Sequence, residues 1–190
     1  MSKYSLGLDF GTESARAVLV NTATGETIAS AVEAYPDGVI DETLPGSDTP
    51  LPPDWALQNP SDWLTTLESA IKQVMQSSSI AAGDVIGIGI DFTACTVLPA
   101  TADGASFHTL PEYRANPHAW AKLWKHHAAQ THANRVNDLA IERNEPWLAR
   151  YGGKVSSEWL IPKAIQLLEE APDIYHQTAH LVEGSDWVVW

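Results

Sequence analysis

The chain has 190 residues, and its 11 lysines and arginines against 24 aspartates and glutamates give a formal net charge of −13. Such acidity argues against binding to a nucleic-acid backbone or to an anionic membrane surface, because both partners require a basic face. With 44% hydrophobic and 18% charged residues, the composition is that of a globular chain with one large domain or slightly more.

The cysteine content and the apolar runs narrow the class of protein further. A single cysteine, Cys95, excludes a disulfide framework and a zinc site built from several thiolates. No run approaches 18 consecutive apolar residues, so we expect no membrane-spanning helix. The N-terminus shows no signal-peptide pattern, and a cytoplasmic location is therefore the expectation.

The first 35 residues predict three successive antiparallel strands. Short alternating segments lie at residues 4–10, 15–20 and 27–35. A tight turn at residues 11–14 and a hairpin loop at residues 22–26 separate them. The strands are short and the loops are brief, which is typical of a sheet that begins with two hairpins.

A helix and a further strand follow a Pro-rich loop at residues 36–60. The helix begins at Pro60, and its apolar residues recur at helical spacing. The nearly continuous apolar run at residues 85–91 predicts a strand buried on both faces. The resulting order of three strands, a helix and a strand indicates an α/β fold.

The second half of the chain predicts helices at residues 116–137, 142–150 and 158–170. On the first of these helices, Trp120 and Trp124 would lie on one face, four residues apart. An aromatic face suits the C–H surface of a sugar. A core stripe with a solvated basic face is the alternative interpretation.

The turn between the first two strands is a candidate phosphate site. Asp9 ends a strand and can hold Mg²⁺, while Gly11 lets the backbone approach a ligand closely. The hydroxyls of Thr12 and Ser14 can donate to phosphate oxygens, and Arg16 can neutralise phosphate charge. An ordinary hairpin turn, with Arg16 in a salt bridge, also accounts for these residues.

Three further features of the sequence carry alternative interpretations. Asp91, at the carboxyl end of the apolar strand, fits either a ligand-binding residue or a loop-capping turn. Cys95 is interpreted as a small core residue rather than a nucleophile, because no local histidine or cation accompanies it. His127 and His132 are five residues apart, which does not match the spacing of a zinc-binding helix.

Taken together, these segments resemble the FGGY carbohydrate kinases, and within them the bacterial branch that acts on L-ribulose. The resemblance is carried by residues 9–16, 51–58, 87–96, 117–120, 123–130, 151–154 and 156–159. It implies a ribonuclease-H-like domain of the actin- and hexokinase-like superfamily, with a mixed β-sheet flanked by helices. The implied core occupies about residues 1–100, and a helical sugar-binding part occupies about residues 110–190.

The resemblance also implies an activity, the ATP-dependent phosphorylation of L-ribulose at its terminal hydroxyl in L-arabinose catabolism. ATP and Mg²⁺ would lie in a cleft between two domains. By match to the family's first phosphate motif, Asp9 would face Mg²⁺ and the γ-phosphate. Gly11, Thr12, Ser14 and Arg16 would line the phosphate turn.

For the sugar, the resemblance implies that the backbone of Ala94 and the side chain of Trp124 line the pocket, with Thr93, His126 and Glu158 nearby. The family's catalytic-base aspartate and its C-terminal ATP-binding domain are expected beyond residue 190. No catalytic residue is therefore expected in this chain, and the chain alone is expected to be inactive. Its expected partners are a pentulose, that second domain and, as a further option, a second copy in a homo-oligomer.

Two alternative functions remain open. The chain could belong to a kinase of another pentulose or of a polyol. It could instead be a non-catalytic, actin-like nucleotide-binding module, which would have no need of a sugar-binding face at Trp120 and Trp124.

Overall fold

A computed structural model describes residues 2–190. The strands are β1 (Tyr4–Phe10), β2 (Ser14–Asn21), β3 (Thr27–Ala34), β4 (Leu57–Gln58), β5 (Val85–Phe92), β6 (Val97–Ala100), β7 (Ala121–Lys122) and β8 (His180–Glu183). The helices are α1 (Pro60–Ser78), α2 (Gln130–Glu142), α3 (Leu160–Glu170), α4 (Pro172–Gln177) and α5 (Gly184–Val189). None of the helices between residues 2 and 190 is long and apolar enough to cross a membrane.

These elements form two compact units. The first contains the described residues up to Val39, Asn59–Thr93 and Val189. The second contains Ile40–Gln58, Ala94–Val188 and Trp190.

The first unit is a four-stranded mixed sheet with α1 packed on strands β2 and β3. The strand order is β3-β2-β1-β5, with β1 antiparallel to β2, β2 antiparallel to β3 and β1 parallel to β5. The predicted order of three strands, a helix and a strand is thus confirmed, as is the predicted mixed sheet with flanking helices.

Alternation along β1 decides which side chains face the core and which face outward. Leu6, Leu8 and Phe10 are buried, because successive side chains of a strand point to opposite faces. Phe10 stacks on Phe92 with ring centroids 5.0 Å apart, and Trp63 of α1 meets Phe92 edge-on at 4.9 Å. Asp9 consequently lies on the other face of the sheet, away from this aromatic cluster.

The expectation that the apolar strand at residues 85–91 is buried on both faces is wrong. Ile86 and Ile88 are each 63% exposed and Ile90 is 38% exposed. The reason is that β5 is the edge strand, since within residues 2–190 it pairs with β1 alone. A continuous apolar run indicates a strand whose two faces both favour burial. It does not show whether other elements of the same chain cover those faces.

The second unit is not mainly helical. Its short strands form a second sheet in the order β4-β7-β6-β8, with antiparallel neighbours. The predicted helix at residues 142–150 is wrong, because α2 ends at Glu142 and Pro146–Tyr151 forms a 3-10 turn. The predicted helix at residues 158–170 is confirmed from Leu160 onward.

The predicted helix at residues 116–137 is wrong before Gln130. Pro117–Ala119 forms a single 3-10 turn, and the backbone of β7 then pairs with β4. A strand pairing thus replaces the helical hydrogen bonds that the periodicity predicted. Trp120 and Trp124 therefore share no helix face. Trp120 is buried with Nε1 donating to the Arg114 carbonyl oxygen at 3.0 Å, whereas Trp124 is 39% exposed.

Candidate functional site

The predicted phosphate turn lies in the first unit, where Asp9 of β1 and Arg16 of β2 are cross-strand partners. The Arg16 Nη1 donates to Asp9 Oδ2 at 2.5 Å, and both side chains are substantially exposed. This ion pair is the alternative that the sequence left open for Arg16. Exposed ion pairs contribute little to stability, so both groups can exchange this contact for a ligand at small cost.

The turn itself depends on glycine and on an anchor from β3. The Gly11 N–H donates to the Ser14 carbonyl oxygen at 2.9 Å, so it closes the turn. A Cβ at Gly11 would lie 3.1 Å from that same oxygen, closer than ordinary contact allows. The Tyr35 N–H donates to the Glu13 carbonyl oxygen at 2.9 Å and holds the turn against the end of β3.

An open groove of about 540 Å³ runs over the outward face of this sheet. It is lined by Gly7, Leu8, Asp9, Arg16, Ala17, Val18, Ser30, Ala31, Val32, Gly89, Ile90 and Asp91. Asp91 is the parallel-register neighbour of Asp9, which brings both carboxylates and the Arg16 guanidinium into one groove. Asp91 Oδ1 also accepts a hydrogen bond from the Phe92 N–H at 3.0 Å, within β5.

The groove fits a magnesium-bound phosphate better than a metal held by protein alone. Across residues 2–190, no three or more His, Cys, Asp or Glu side chains are placed to share a metal ion. Mg²⁺ typically takes one or two carboxylates and completes its shell with water and phosphate oxygens. Asp9 supplies such a carboxylate beside the Arg16 cation.

The predicted sugar residues are divided between the two units. Thr93 belongs to the first unit, where its N–H donates to the Phe10 carbonyl oxygen at 3.1 Å, next to the phosphate turn. Ala94, Trp124, His126 and Glu158 belong to the second unit.

In the second unit, a buried lysine joins the two segments that carry Ala94 and Trp124. Lys163 Nζ donates to the carbonyl oxygens of Cys95 at 2.6 Å and of Leu123 at 2.8 Å. These residues are the direct chain neighbours of Ala94 and Trp124. The sequence analysis missed Lys163, although its spacing of three residues from Leu160 and four from Leu167 puts it on the apolar side of α3.

His126 is buried in this region, with both ring nitrogens bonded to protein groups. Its ring is fully buried, and its Nδ1 accepts from the Ala56 N–H at 3.3 Å. The Nε2 therefore carries the proton and donates to Gln166 Oε1 at 2.9 Å. Burial, with the Lys122 charge second, lowers the pKa of His126 to about 3, so the ring is neutral at pH 7.

Glu158 and Trp124 keep accessible surface in the second unit. Trp124 is 39% exposed, and the Glu158 side chain is partly exposed with Oε1 4.0 Å from His127 Nε2. Nearby, burial and then the charge of Glu183 raise the pKa of the Cys95 thiol, which keeps it protonated. That state agrees with the interpretation of Cys95 as a non-nucleophile.

The model of the FGGY family of carbohydrate kinases, N-terminal domain, matches residues 4–190. The chain belongs to this family. It is 55% identical over 188 residues to a ribulokinase of Geobacillus thermodenitrificans and 54% identical over 188 residues to one of Anoxybacillus flavithermus. Each comparison covers 99% of this chain and 33% of the relative, so the chain spans about a third of the length of these FGGY kinases.

The fold is shared with FGGY kinases of much lower identity. A solved xylulose kinase from Brucella ovis is 18% identical and superposes with a TM-score of 0.77. That superposition covers 98% of this chain and 33% of the other. The family and the fold class expected from the sequence are thus confirmed, while the roles of the individual site residues stay predictions.

Proposed function

We propose that this chain is the N-terminal part of an ATP-dependent kinase that converts L-ribulose to L-ribulose 5-phosphate in L-arabinose catabolism. The identity of 55% to a ribulokinase over 99% of the chain carries the proposal. In this proposal, the catalytic base and the C-terminal ATP-binding domain belong to the remainder of the full-length protein, which acts in the cytoplasm.

The groove of the first unit would receive the phosphates of ATP. Bound there, Mg²⁺ would neutralise part of the phosphate charge, and Asp9 would hold it directly or through water. Arg16 would exchange its contact with Asp9 for a phosphate oxygen, and the hydroxyls of Thr12 and Ser14 would orient the phosphate. Gly11 would keep the turn free of a side chain, consistent with the close approach of a Cβ there to the Ser14 oxygen.

Some residues of the proposed sugar site would contact the sugar, and His126 would support those residues from behind. In the second unit, the backbone of Ala94 and the indole of Trp124 would contact the sugar, with Glu158 bonding its hydroxyls. His126 would support the wall from behind, because its ring is buried and both its nitrogens are engaged within the protein.

Identification of the product tests this function. The full-length protein, incubated with ATP, Mg²⁺ and L-ribulose, is expected to yield a phosphate monoester on the terminal hydroxyl, observed by phosphorus and carbon NMR. A phosphate ester on another hydroxyl, or ester formation only with a polyol or another pentulose, would contradict the proposed substrate.

A substitution at Trp124 tests whether its indole contacts the sugar, a contact that a non-catalytic nucleotide-binding module would not need. Trp124→Ala in the full-length protein is expected to raise the KM for L-ribulose by about tenfold through loss of an aromatic contact. Trp190→Ala, which removes an exposed indole of the same unit, is the matched control and is expected to leave the KM unchanged. Unchanged sugar binding in Trp124→Ala would favour the module.

A further inference from the structure

Lys163 is a buried cation that the proposed phosphoryl transfer does not use. Its side chain is only 1% exposed, and it projects from α3 into the core of the second unit. We propose that Lys163 is a positioning residue for the sugar site, which fixes the backbone at Ala94 and the placement of Trp124 by binding the carbonyl oxygens beside them. This inference rests on the proposed function.

The hydrogen bonds of Lys163 join segments that are far apart in the chain. Its Nζ donates to the carbonyl oxygens of Cys95 at 2.6 Å, Leu123 at 2.8 Å and Lys122 at 3.4 Å. The first acceptor is 68 residues away in sequence, and the others are 41 and 40 residues away. One ammonium group therefore sets the separation between the loop after β5 and the segment after β7.

The anchored loop has a backbone conformation that needs such support. Cys95 has a φ of 63°, in the left-handed region that side-chain-bearing residues disfavour. Such a conformation is unfavourable for a residue with a side chain and persists where the surroundings impose it. The bond from Lys163 to the Cys95 carbonyl oxygen is one such constraint, and it acts on the residue next to Ala94.

The protonation state of Lys163 matters because an ammonium has three N–H donors and a neutral amine has two. Three carbonyl oxygens lie within its reach, so only the charged form supplies a donor to each. Burial lowers the pKa of Lys163 to about 8, while the negative charges of Glu183 and Glu158 oppose that shift. Lys122 and His126 also face this charge. Burial and then the Lys163 charge lower the pKa of Lys122, and burial, then the Lys122 charge and more weakly the Lys163 charge lower the pKa of His126.

The first test separates positioning from a contribution to overall stability alone. In the full-length protein, Lys163→Met and the polar variant Lys163→Gln are expected to raise the KM for L-ribulose by about tenfold, with kcat changed by less than about threefold. Lys72→Met, a solvent-exposed lysine on α1, is the control and should leave both constants unchanged. An unaltered KM in both Lys163 variants, or a loss confined to kcat, would overturn the proposal.

A second readout requires no activity. Amide hydrogen exchange in peptides covering residues 93–97 and 122–126 is expected to accelerate in a Lys163 variant and not in Lys72→Met. Unchanged exchange in both peptides would overturn the positioning role. If the wild-type protein fails to phosphorylate L-ribulose, the proposed function fails, and the exchange result still decides whether Lys163 holds these segments.

A third readout needs no substitution, so it survives a variant that does not fold. The KM of the wild-type protein is expected to rise as the pH passes upward through about 8, because the neutral amine leaves one carbonyl oxygen without its donor. Lys122, whose pKa burial lowers to about 7, changes charge mainly below that window. A KM that stays constant from about pH 7.5 to pH 9 would contradict the role of the ammonium.

Discussion

At the scale of single residues, the proposed binding of phosphate depends on the ion pair of Asp9 and Arg16. The two side chains carry opposite charges, Arg16 Nη1 lies 2.5 Å from Asp9 Oδ2, and both side chains are open to solvent. A magnesium-bound phosphate would offer a negative charge to Arg16 and a positive charge to Asp9. In the proposed function, the pair would hold each group in place for an incoming nucleotide.

Asp9→Ala in the full-length protein is expected to lower turnover on the order of a hundredfold, with little change in sugar affinity. The reason is that the carboxylate would act on the phosphate and not on the sugar. Steady-state kinetics and a direct titration with L-ribulose measure the two effects separately. Asp48→Ala, at an exposed loop position, is the control, and a large rise in the sugar Kd with normal turnover would contradict the role.

The buried neutral His126 makes stability depend on pH. Its pKa is about 3 in the folded chain and about 6.5 when unfolded, so between these values the unfolded state binds one more proton. The free energy of unfolding should therefore fall as the pH drops below about 6.5, by up to about 1.4 kcal/mol per pH unit, and this contribution is fully present above that pH.

Urea unfolding of the wild-type chain and of His126→Gln between about pH 7 and pH 5 measures this contribution. The variant should show a smaller slope of unfolding free energy against pH. His176→Gln, at an exposed histidine, should keep the wild-type slope. Equal slopes in all three proteins would count against the neutral buried ring.

At the scale of elements, the sequence predicts a strand or helix correctly where its residue pattern is compatible with only one local structure. Strands β1 to β3 alternate and are joined by short turns, and α1 begins at an Asn-Pro step where Asn59 accepts from the Ser61 N–H at 2.9 Å. The helix prediction after Pro117 is wrong because pairing between β7 and β4, in which Lys122 lies opposite Leu57 from 65 residues earlier in the chain, competes with helical periodicity. Long-range pairing of this kind leaves no local signal.

The residues of the candidate site likewise differ in whether local sequence or long-range contacts determine their surroundings. The predicted phosphate turn is contiguous in sequence, so the types and spacing of its residues are sufficient to propose it. Lys163 reaches its acceptors across 40 to 68 residues, and only the tertiary structure shows that contact. His126 was placed near the sugar by motif alone, whereas its burial depends on Ala56 and Gln166 from other segments.

Because β5 is an exposed edge strand, we expect the 190-residue chain to self-associate when it is produced alone. Exposed apolar edges offer unpaired backbone groups and hydrophobic side chains to another copy. Ile88→Lys is expected to shift the chain toward a monomer in light scattering, because a charged residue opposes edge pairing. Ile141→Lys, equally exposed on α2, should leave the association unchanged, and a monodisperse wild-type monomer would contradict this prediction.

At the scale of the whole molecule, the proposed function assigns to this chain one side of a phosphoryl-transfer site. Such transfer requires a positioned base and charge stabilisation around the phosphate, and the base is proposed to lie in the remainder of the full-length protein. The purified 190-residue chain, with saturating ATP, Mg²⁺ and L-ribulose, is therefore expected to show no turnover above background in a coupled ADP assay. Turnover near that of the full-length protein would contradict this division of roles.

The proposed specificity of the full-length protein for L-ribulose is tested by its kcat/KM across a panel of sugars and one polyol. The panel comprises L-ribulose, D-ribulose, D-xylulose and glycerol, all assayed with ATP and Mg²⁺. We predict the highest kcat/KM for L-ribulose. A higher kcat/KM for D-xylulose or glycerol, or no activity with any of the four, would contradict the account.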